Sequence, residues 1–163
     1  MEDICRSVCF TGHRELPKEK RALLEERLYV LLRLFAEEGV DRFLAGGARG
    51  FDTLAAKTVL KLRRSFPDVR LILVLPCLDQ TRGWSAEDIA AYEEVRSQAD
   101  EIIYTSEQYF NGCMHKRNRR LVDESDVCIA FLQRPVGGTA YTVRYAESQG
   151  MEVINMANLL ENG

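Results

Sequence analysis

A chain of 163 residues with 22 Lys and Arg against 25 Asp and Glu has a formal net charge of -3, so no overall basic field exists to hold a nucleic-acid backbone, and a dedicated DNA- or RNA-binding protein is disfavoured. Hydrophobic residues at 46% and charged residues at 29% are ordinary globular composition, and the length suits one domain (1–163) with a real core. No apolar run approaches the roughly 20 residues that cross a bilayer, and residues 1–6 carry charges where a signal peptide would be apolar, so the expectation is a cytoplasmic protein with no membrane partner.

Apolar strands then alternate with helical segments. Residues 7–11 read as a first strand that breaks at Gly12, and Pro17 fits the first turn of a helix whose Leu24, Leu28, Leu31 and Phe35 form one stripe. A second strand, 42–45, runs into Gly46-Gly47-Ala48-Arg49-Gly50, and a helix with Ala55, Val59, Leu62 and Phe66 on one face follows until Pro67. Residues 69–75 are nearly all apolar, as in a central parallel strand buried on both faces. A polar loop with Arg82 and Trp84 leads to Ser85, which caps a helix through about Gln98.

Residues 101–104 make a short strand, and 105–113 a loop holding Tyr109 and Phe110. Residues 114–124 form a strongly basic helix, and 127–132 another buried strand. Then come Gly137-Gly138-Thr139, a helix over 140–148 capped by Gly150, and a last strand at 153–154. This alternation predicts a Rossmann-like, doubly wound α/β fold, its mainly parallel sheet covered by helices on both faces.

The chemistry gathers at one end of the strands. Thr11-Gly12-His13-Arg14 follow the first strand, Gly46, Gly47, Arg49 and Gly50 the second, and Gly137-Gly138-Thr139 the one before the last helix. Ligands of open parallel sheets bind outside the carboxyl ends of the strands. Glycine lets backbone N–H groups approach a phosphate, and a helix start adds free donors and a positive dipole end. The first glycine loop is neither the dinucleotide fingerprint nor a P-loop. Either turn alone also reads as a plain strand-to-helix connection; the two together point to a bipartite phosphate cradle. Asp52 and Thr53 read first as ordinary first-turn helix residues.

In the basic stretch, Arg117 and Arg120 share a helix face. Arg117 and Asn118 are the candidates there, the arginine as a solvated planar fork for phosphate; Lys116 and Arg119 read as a solvated cationic face. Neither His13 nor His115 has metal-ligand spacing around it, so no metal is expected, and nothing calls for a cofactor. The cysteines Cys5, Cys9, Cys77, Cys113 and Cys128 are odd in number and lack CxxC pairing, which suits a reducing cytosol. Cys77 has no base in reach of sequence logic. Trp84, Tyr109 and Phe110 could stack on a base or simply anchor their loops.

Taken in order and spacing, Thr11-Gly12-His13-Arg14, Gly46-Gly47-Ala48-Arg49-Gly50-Phe51-Asp52, Arg117-Asn118-Arg119 and Gly137-Gly138-Thr139 resemble the YpsA-like branch of the SLOG superfamily across nearly the whole chain. That superfamily has a Rossmann-like fold and includes the Lonely Guy phosphoribohydrolases, the DNA-processing protein A family and sensors of nucleotide-derived ligands. The resemblance implies a ligand site built from these glycine loops. Met114-His115-Lys116-Arg117 is similar to the Met-His-x-Arg motif of the hydrolases, whose arginine serves the active site. Their Pro-Gly-Gly-x-Gly-Thr loop is similar to the second glycine segment, with the spacing shifted by Pro135 and Val136. Where the hydrolases place a catalytic glutamate pair, this chain has Tyr141 and Thr142, neither of which can act as a carboxylate. Phosphate recognition is implied and hydrolysis is not, leaving no catalytic residue assigned.

Three functions remain in competition. The first is a sensor or regulatory module for a nucleotide-derived small molecule, with a protein partner and self-association left open. The second is a nucleotide N-glycosidase, for which Asp52, Asp79 and Asp126 are poor candidate carboxylates. The third is a single-stranded DNA-binding protein.

Overall fold

A computed structural model describes residues 5–161; of the charged segment 1–6, residues 1–4 lie outside the described residues. Strands β1 (Ser7–Gly12), β2 (Arg42–Ala45), β3 (Arg70–Leu75), β4 (Glu101–Tyr104), β5 (Val127–Phe131) and β6 (Glu152–Asn155) form one sheet in the order β4-β3-β2-β1-β5-β6. Every adjacent pair is parallel. The helices are α1 (Arg21–Glu37), α2 (Phe51–Ser65), α3 (Ala86–Gln98), α4 (Cys113–Asp123), α5 (Gly138–Ser148) and α6 (Met156–Glu161). The fold is therefore α/β and Rossmann-like, as the alternation predicts.

Alternate side chains of each central strand face opposite layers. Val8 and Phe10, Phe43 and Ala45, and Leu71, Leu73 and Leu75 pack with α1, α2, α3 and α6. Cys9, Leu44, Ile72, Val74, Cys128 and Ala130 pack with Leu121 and Val122 of α4 and Val143 and Ala146 of α5. Burial on both faces explains why these strands read as unbroken apolar runs. The chain moves outward from β1 to β4 and then crosses back through α4 to β5. The order thus reverses between β1 and β5, which is where an open α/β sheet leaves a crevice at its carboxyl edge.

Local chemistry sets the ends. The Ser85 hydroxyl accepts the Asp88 N–H at 3.1 Å, the predicted cap. Pro17 opens a 3-10 turn, Lys18–Lys20, rather than α1 itself. The fully buried stripe of α1 is Leu24, Leu28 and Leu32, with Leu31 and Phe35 half-buried beside it. Helix α5 begins at Gly138, two residues before its expected start, which makes Gly138 and Thr139 first-turn residues. Helix α6 has no counterpart in the sequence reading; it returns Met156, Ala157 and Leu160 to the larger core cluster.

Candidate functional site

A cavity of about 530 Å³ lies at the carboxyl edge, over the point where the strand order reverses. Ten of the fourteen residues singled out from the sequence line it: Thr11, Gly12, His13 and Arg14 after β1, Asp52 in α2, Arg117 and Asn118 in α4, and Gly137, Gly138 and Thr139 at the start of α5. The size falls within the range of small-ligand pockets. Glu15, Ala48, Met114, Arg134 and Val136 complete the wall. Arg134 and Glu15 were not anticipated. Their only signal is position, each lying within a few residues of the carboxyl end of a strand that flanks the reversal.

The remaining four, Gly46, Gly47, Arg49 and Gly50, do not line this cavity. The three glycines are packed against protein atoms. A Cβ on Gly46 would stand 2.8 Å from Arg117 Nη1 and 2.9 Å from Asp52 Oδ2, and one on Gly47 would stand 2.5 Å from Leu75 Cδ2. A Cβ on Gly50 would collide with the backbone carbonyl of Arg14. The Phe51 N–H also donates to the His13 carbonyl at 3.1 Å, so the two loops are stitched together. Arg49 and Gly50 instead border a second cavity of about 550 Å³, which shares Arg14 and Glu15 with the first and adds Arg21 and Lys57.

The second glycine turn is open. Gly137 has φ +91° with nothing within 4 Å of its would-be side chain, and Gly138 would meet only Asn118 Nδ2 at 4.0 Å. His13 fixes the segment before it. Its Nε2 accepts N–H bonds from Gln133 at 2.9 Å and Arg134 at 3.3 Å, which requires the neutral ring. Burial, and next the Arg134 charge, hold the His13 pKa below its ordinary value.

Arg117 corrects an expectation. It is not solvated but buried, at 4% exposure. Its Nη1 donates to the Gly46 carbonyl, its Nε to Asn118 Oδ1 at 2.7 Å, and its Nη2 lies 3.8 Å from Met114 Sδ. Much of the fork is spent inside the protein. Arg120, expected on the same face, is exposed and pairs with Glu124 at 2.8 Å. Lys116 and Arg119 are exposed as read, reaching Ser106 Oγ at 3.3 Å and the Tyr141 hydroxyl at 2.8 Å.

Asp52 faces Arg117 across Gly46. Its Oδ2 accepts the Ala48 N–H at 3.3 Å, while its buried Oδ1 has no partner. Burial raises its pKa to about 6, against the opposing pull of Arg117, the Ala48 hydrogen bond and Arg14. Of the other carboxylates considered, Asp126 accepts the Arg6 and Ser7 N–H groups at the amino end of β1, away from the cavity. Asp79 accepts from the Cys77 thiol, whose pKa is pushed up to about 11 by burial and by that contact. Thr142 is buried with its hydroxyl turned onto the Gly138 carbonyl at 2.9 Å, and neither it nor Tyr141 lines the cavity. Trp84 packs edge-on against Tyr92, its ring centroid 5.1 Å from the Arg49 guanidinium. Tyr109 and Phe110 are exposed and also outside the cavity wall.

Among the described residues no cluster of His, Cys, Asp and Glu is placed to hold a metal, and no helix is long and apolar enough to cross a membrane.

A family model described as the YspA SLOG family matches residues 8–159. An uncharacterized SPbeta prophage-derived protein, YoqJ, of Bacillus subtilis (strain 168) is 29% identical over 137 residues, 77% of this chain and 80% of that one. A UPF0398 protein of Bacillus thuringiensis (strain Al Hakam) is 29% identical over 122 residues, 73% of this chain and 66% of that one. Among solved structures, DNA processing protein A from Helicobacter pylori, described for its single-stranded DNA binding mode, superposes with a TM-score of 0.65 at 21% identity, over 92% of this chain and 64% of that one. TM1055 superposes with a TM-score of 0.61 at 16% identity, over 97% of this chain and 81% of that one. The chain thus spans just under two thirds of the Bacillus thuringiensis and Helicobacter pylori proteins. At these identities the structural likeness is one of fold.

Proposed function

The chain belongs to the YspA SLOG family, and from that premise we propose that its carboxyl-edge cavity binds a phosphate-bearing, nucleotide-derived small ligand, as a sensor or regulatory module and not as a hydrolase. The observation that carries this is the open turn at Gly137 and Gly138. Its glycines leave the first turn of α5 uncovered on a cavity that Arg14 and Arg134 also line. The first N–H groups of a helix have no partner within it, so an anion there gains free donors and the positive dipole end. The two arginines supply charge-assisted bonds. Thr11 and Thr139 add hydroxyls to the same wall.

Native mass spectrometry of freshly purified protein should show a co-purifying nucleotide, and calorimetric titration with AMP as the probe should give saturable binding. Arg134→Ala should weaken AMP about 10-fold or more, the value of one hydrogen bond to a charged group. Normal AMP affinity in that variant would remove Arg134 from the site. Release of free adenine from AMP should be absent; turnover on the order of 1 per second or faster would make the protein an enzyme, with Asp52 and Glu15 as the carboxylates within the cavity wall.

A second reading, single-stranded nucleic acid, draws on a specific observation. The second cavity continues the first through Arg14 and Glu15 and carries Arg21, Arg49 and Lys57 beside Glu87 and Asp88, so four cationic side chains stand against three acidic ones along it. The net charge of -3 opposes it, because phosphate contacts supply most non-specific affinity. Titration of an oligothymidylate at rising salt separates the two. A steep loss of tight binding with salt supports nucleic acid, and no binding at physiological salt supports the small ligand.

A further inference from the structure

We infer that the Asp52 carboxylate is the cavity's acceptor for a neutral hydrogen-bond donor of the ligand, so that the bound molecule presents a hydroxyl or amino group to Asp52 while its phosphate sits elsewhere. The inference rests on the phosphate reading of the cavity and adds what the rest of the ligand must be.

Asp52 is 5% exposed and lines the cavity. One carboxylate oxygen is engaged by the Ala48 N–H; the other, Oδ1, is buried and unpartnered. Buried polar atoms are nearly always hydrogen-bonded, and an orphan costs its desolvation without return. Among the described residues no donor reaches it. Arg117, across Gly46, already donates to the Gly46 carbonyl and to Asn118. The Thr53 hydroxyl donates to the Ala48 carbonyl at 2.9 Å. The partner is therefore to come from the cavity.

Charge decides what kind of partner. A phosphate oxygen would face a carboxylate and lose on repulsion. A cationic ligand group would face Arg117 and Arg14, both of which bear on Asp52. A neutral donor satisfies Oδ1 and meets neither penalty. In a nucleotide, that donor is a sugar hydroxyl or the amino group of the base. Selectivity of this kind is strong because the analogue lacking the donor leaves the buried oxygen unpaired.

Calorimetric titrations of the full chain with AMP, adenosine, 2′-deoxy-AMP, 3′-deoxy-AMP and purine riboside monophosphate test it. Wild type should bind one of the three analogues lacking a single donor about 10- to 100-fold more weakly than AMP. Asp52→Ala, which removes the acceptor and is checked for folding by a thermal melt, should reduce that ratio to near one. The wild-type arm decides the matter even where the variant does not fold. If AMP binds well, adenosine binds poorly, and all three analogues match AMP within about twofold, Asp52 is not the acceptor and the phosphate reading stands. If adenosine binds as well as AMP, or AMP does not bind, the phosphate reading falls and takes this inference with it.

Discussion

Two glycine turns leave the same sheet edge on either side of β1. Gly46, Gly47 and Gly50 follow β2, and Gly137 and Gly138 follow β5. In sequence they share one logic, a glycine pair between a strand and a helix. In space the first turn is filled by the protein itself, with Arg117 and Asp52 against Gly46, Leu75 against Gly47 and the Arg14 backbone against Gly50. The second is empty for 4 Å around Gly137 and touches only Asn118 near Gly138. A glycine marks where something approaches the backbone closely. Whether that something is protein or ligand depends on packing, and the two turns of this molecule divide between the answers.

The division can be broken by adding a methyl group to each turn. Gly50→Ala places a Cβ on the Arg14 carbonyl at φ +77°, so both sterics and backbone strain oppose it. It should cost about 5 kcal/mol or more, the range of diagnostic core lesions, or abolish folding. Gly137→Ala carries only the strain of φ +91°, ψ -170° and should cost about 1–3 kcal/mol. Urea denaturation of the pair reads the difference. Equal losses would mean that the two turns do not differ as described.

Next in size is Arg117, which belongs physically to the filled turn. Arg117→Ala removes the Gly46 and Asn118 contacts and leaves buried Asp52 with only the weaker pull of Arg14. The expected loss is about 3–4 kcal/mol with ligand absent, whereas Lys116→Ala, on the exposed side of the same helix, should stay within about 0.5 kcal/mol. A near-neutral Arg117→Ala would restore the solvated fork that the sequence suggested.

That reversal shows what was legible and what was not. The strands could be read because burial on both faces leaves long apolar runs, and their alternation with helices dictates a parallel sheet. Arg117 is misread because the run His115 to Arg120 is basic at every position but Asn118. Yet Leu121 and Val122 lie four residues beyond Arg117 and Asn118, and helical spacing places all four on the inner face, as found. The cavity's edge location followed from strand direction alone. Arg134 and Glu15 escaped because irregular loops carry no periodicity to point their side chains. The packed role of Gly46 and Gly50 escaped because no local pattern reveals what fills the space that a missing side chain leaves.

The turns also differ in their response to acid, through Asp52 at the first and His13 before the second. Asp52 has its pKa raised from 3.8 to about 6, so between those values the folded chain holds a proton that the unfolded chain has lost. Its contribution to stability is then most favourable below pH 4 and declines by roughly 3 kcal/mol as pH rises through 6. The stability of Asp52→Asn relative to wild type should accordingly improve by about that amount from pH 4 to pH 7. His13, with its pKa lowered from 6.5, has the opposite sign. Its two backbone bonds need the neutral ring, so their support is full above pH 6.5 and is lost as pH falls below that value. His13→Asn should therefore differ from wild type most at neutral pH. Chemical denaturation at several pH values checks both slopes, and an Asp52→Asn difference that does not vary with pH would remove Asp52 from this account.

The smallest effect on stability should accompany a large effect on binding. Gly138 is the first residue of α5, its φ is not positive, and an added Cβ would meet nothing nearer than Asn118 Nδ2 at 4.0 Å. Both residues line the cavity, so a larger side chain at 138 grows into the space where the helix N-terminus is uncovered. Gly138→Val should change folding stability by less than about 1 kcal/mol, because a glycine in a helix is itself disfavoured and valine brings only a modest propensity cost. AMP affinity should nevertheless fall by about 10-fold or more, since the methyl groups hold an anion away from the first N–H donors of the helix and each such charge-assisted bond is worth about 1.5–3 kcal/mol. Thermal melts and calorimetry on the same preparation separate the two quantities. Unchanged affinity in a folded Gly138→Val protein would place the phosphate away from α5 and leave the open turn an unused gap in the surface.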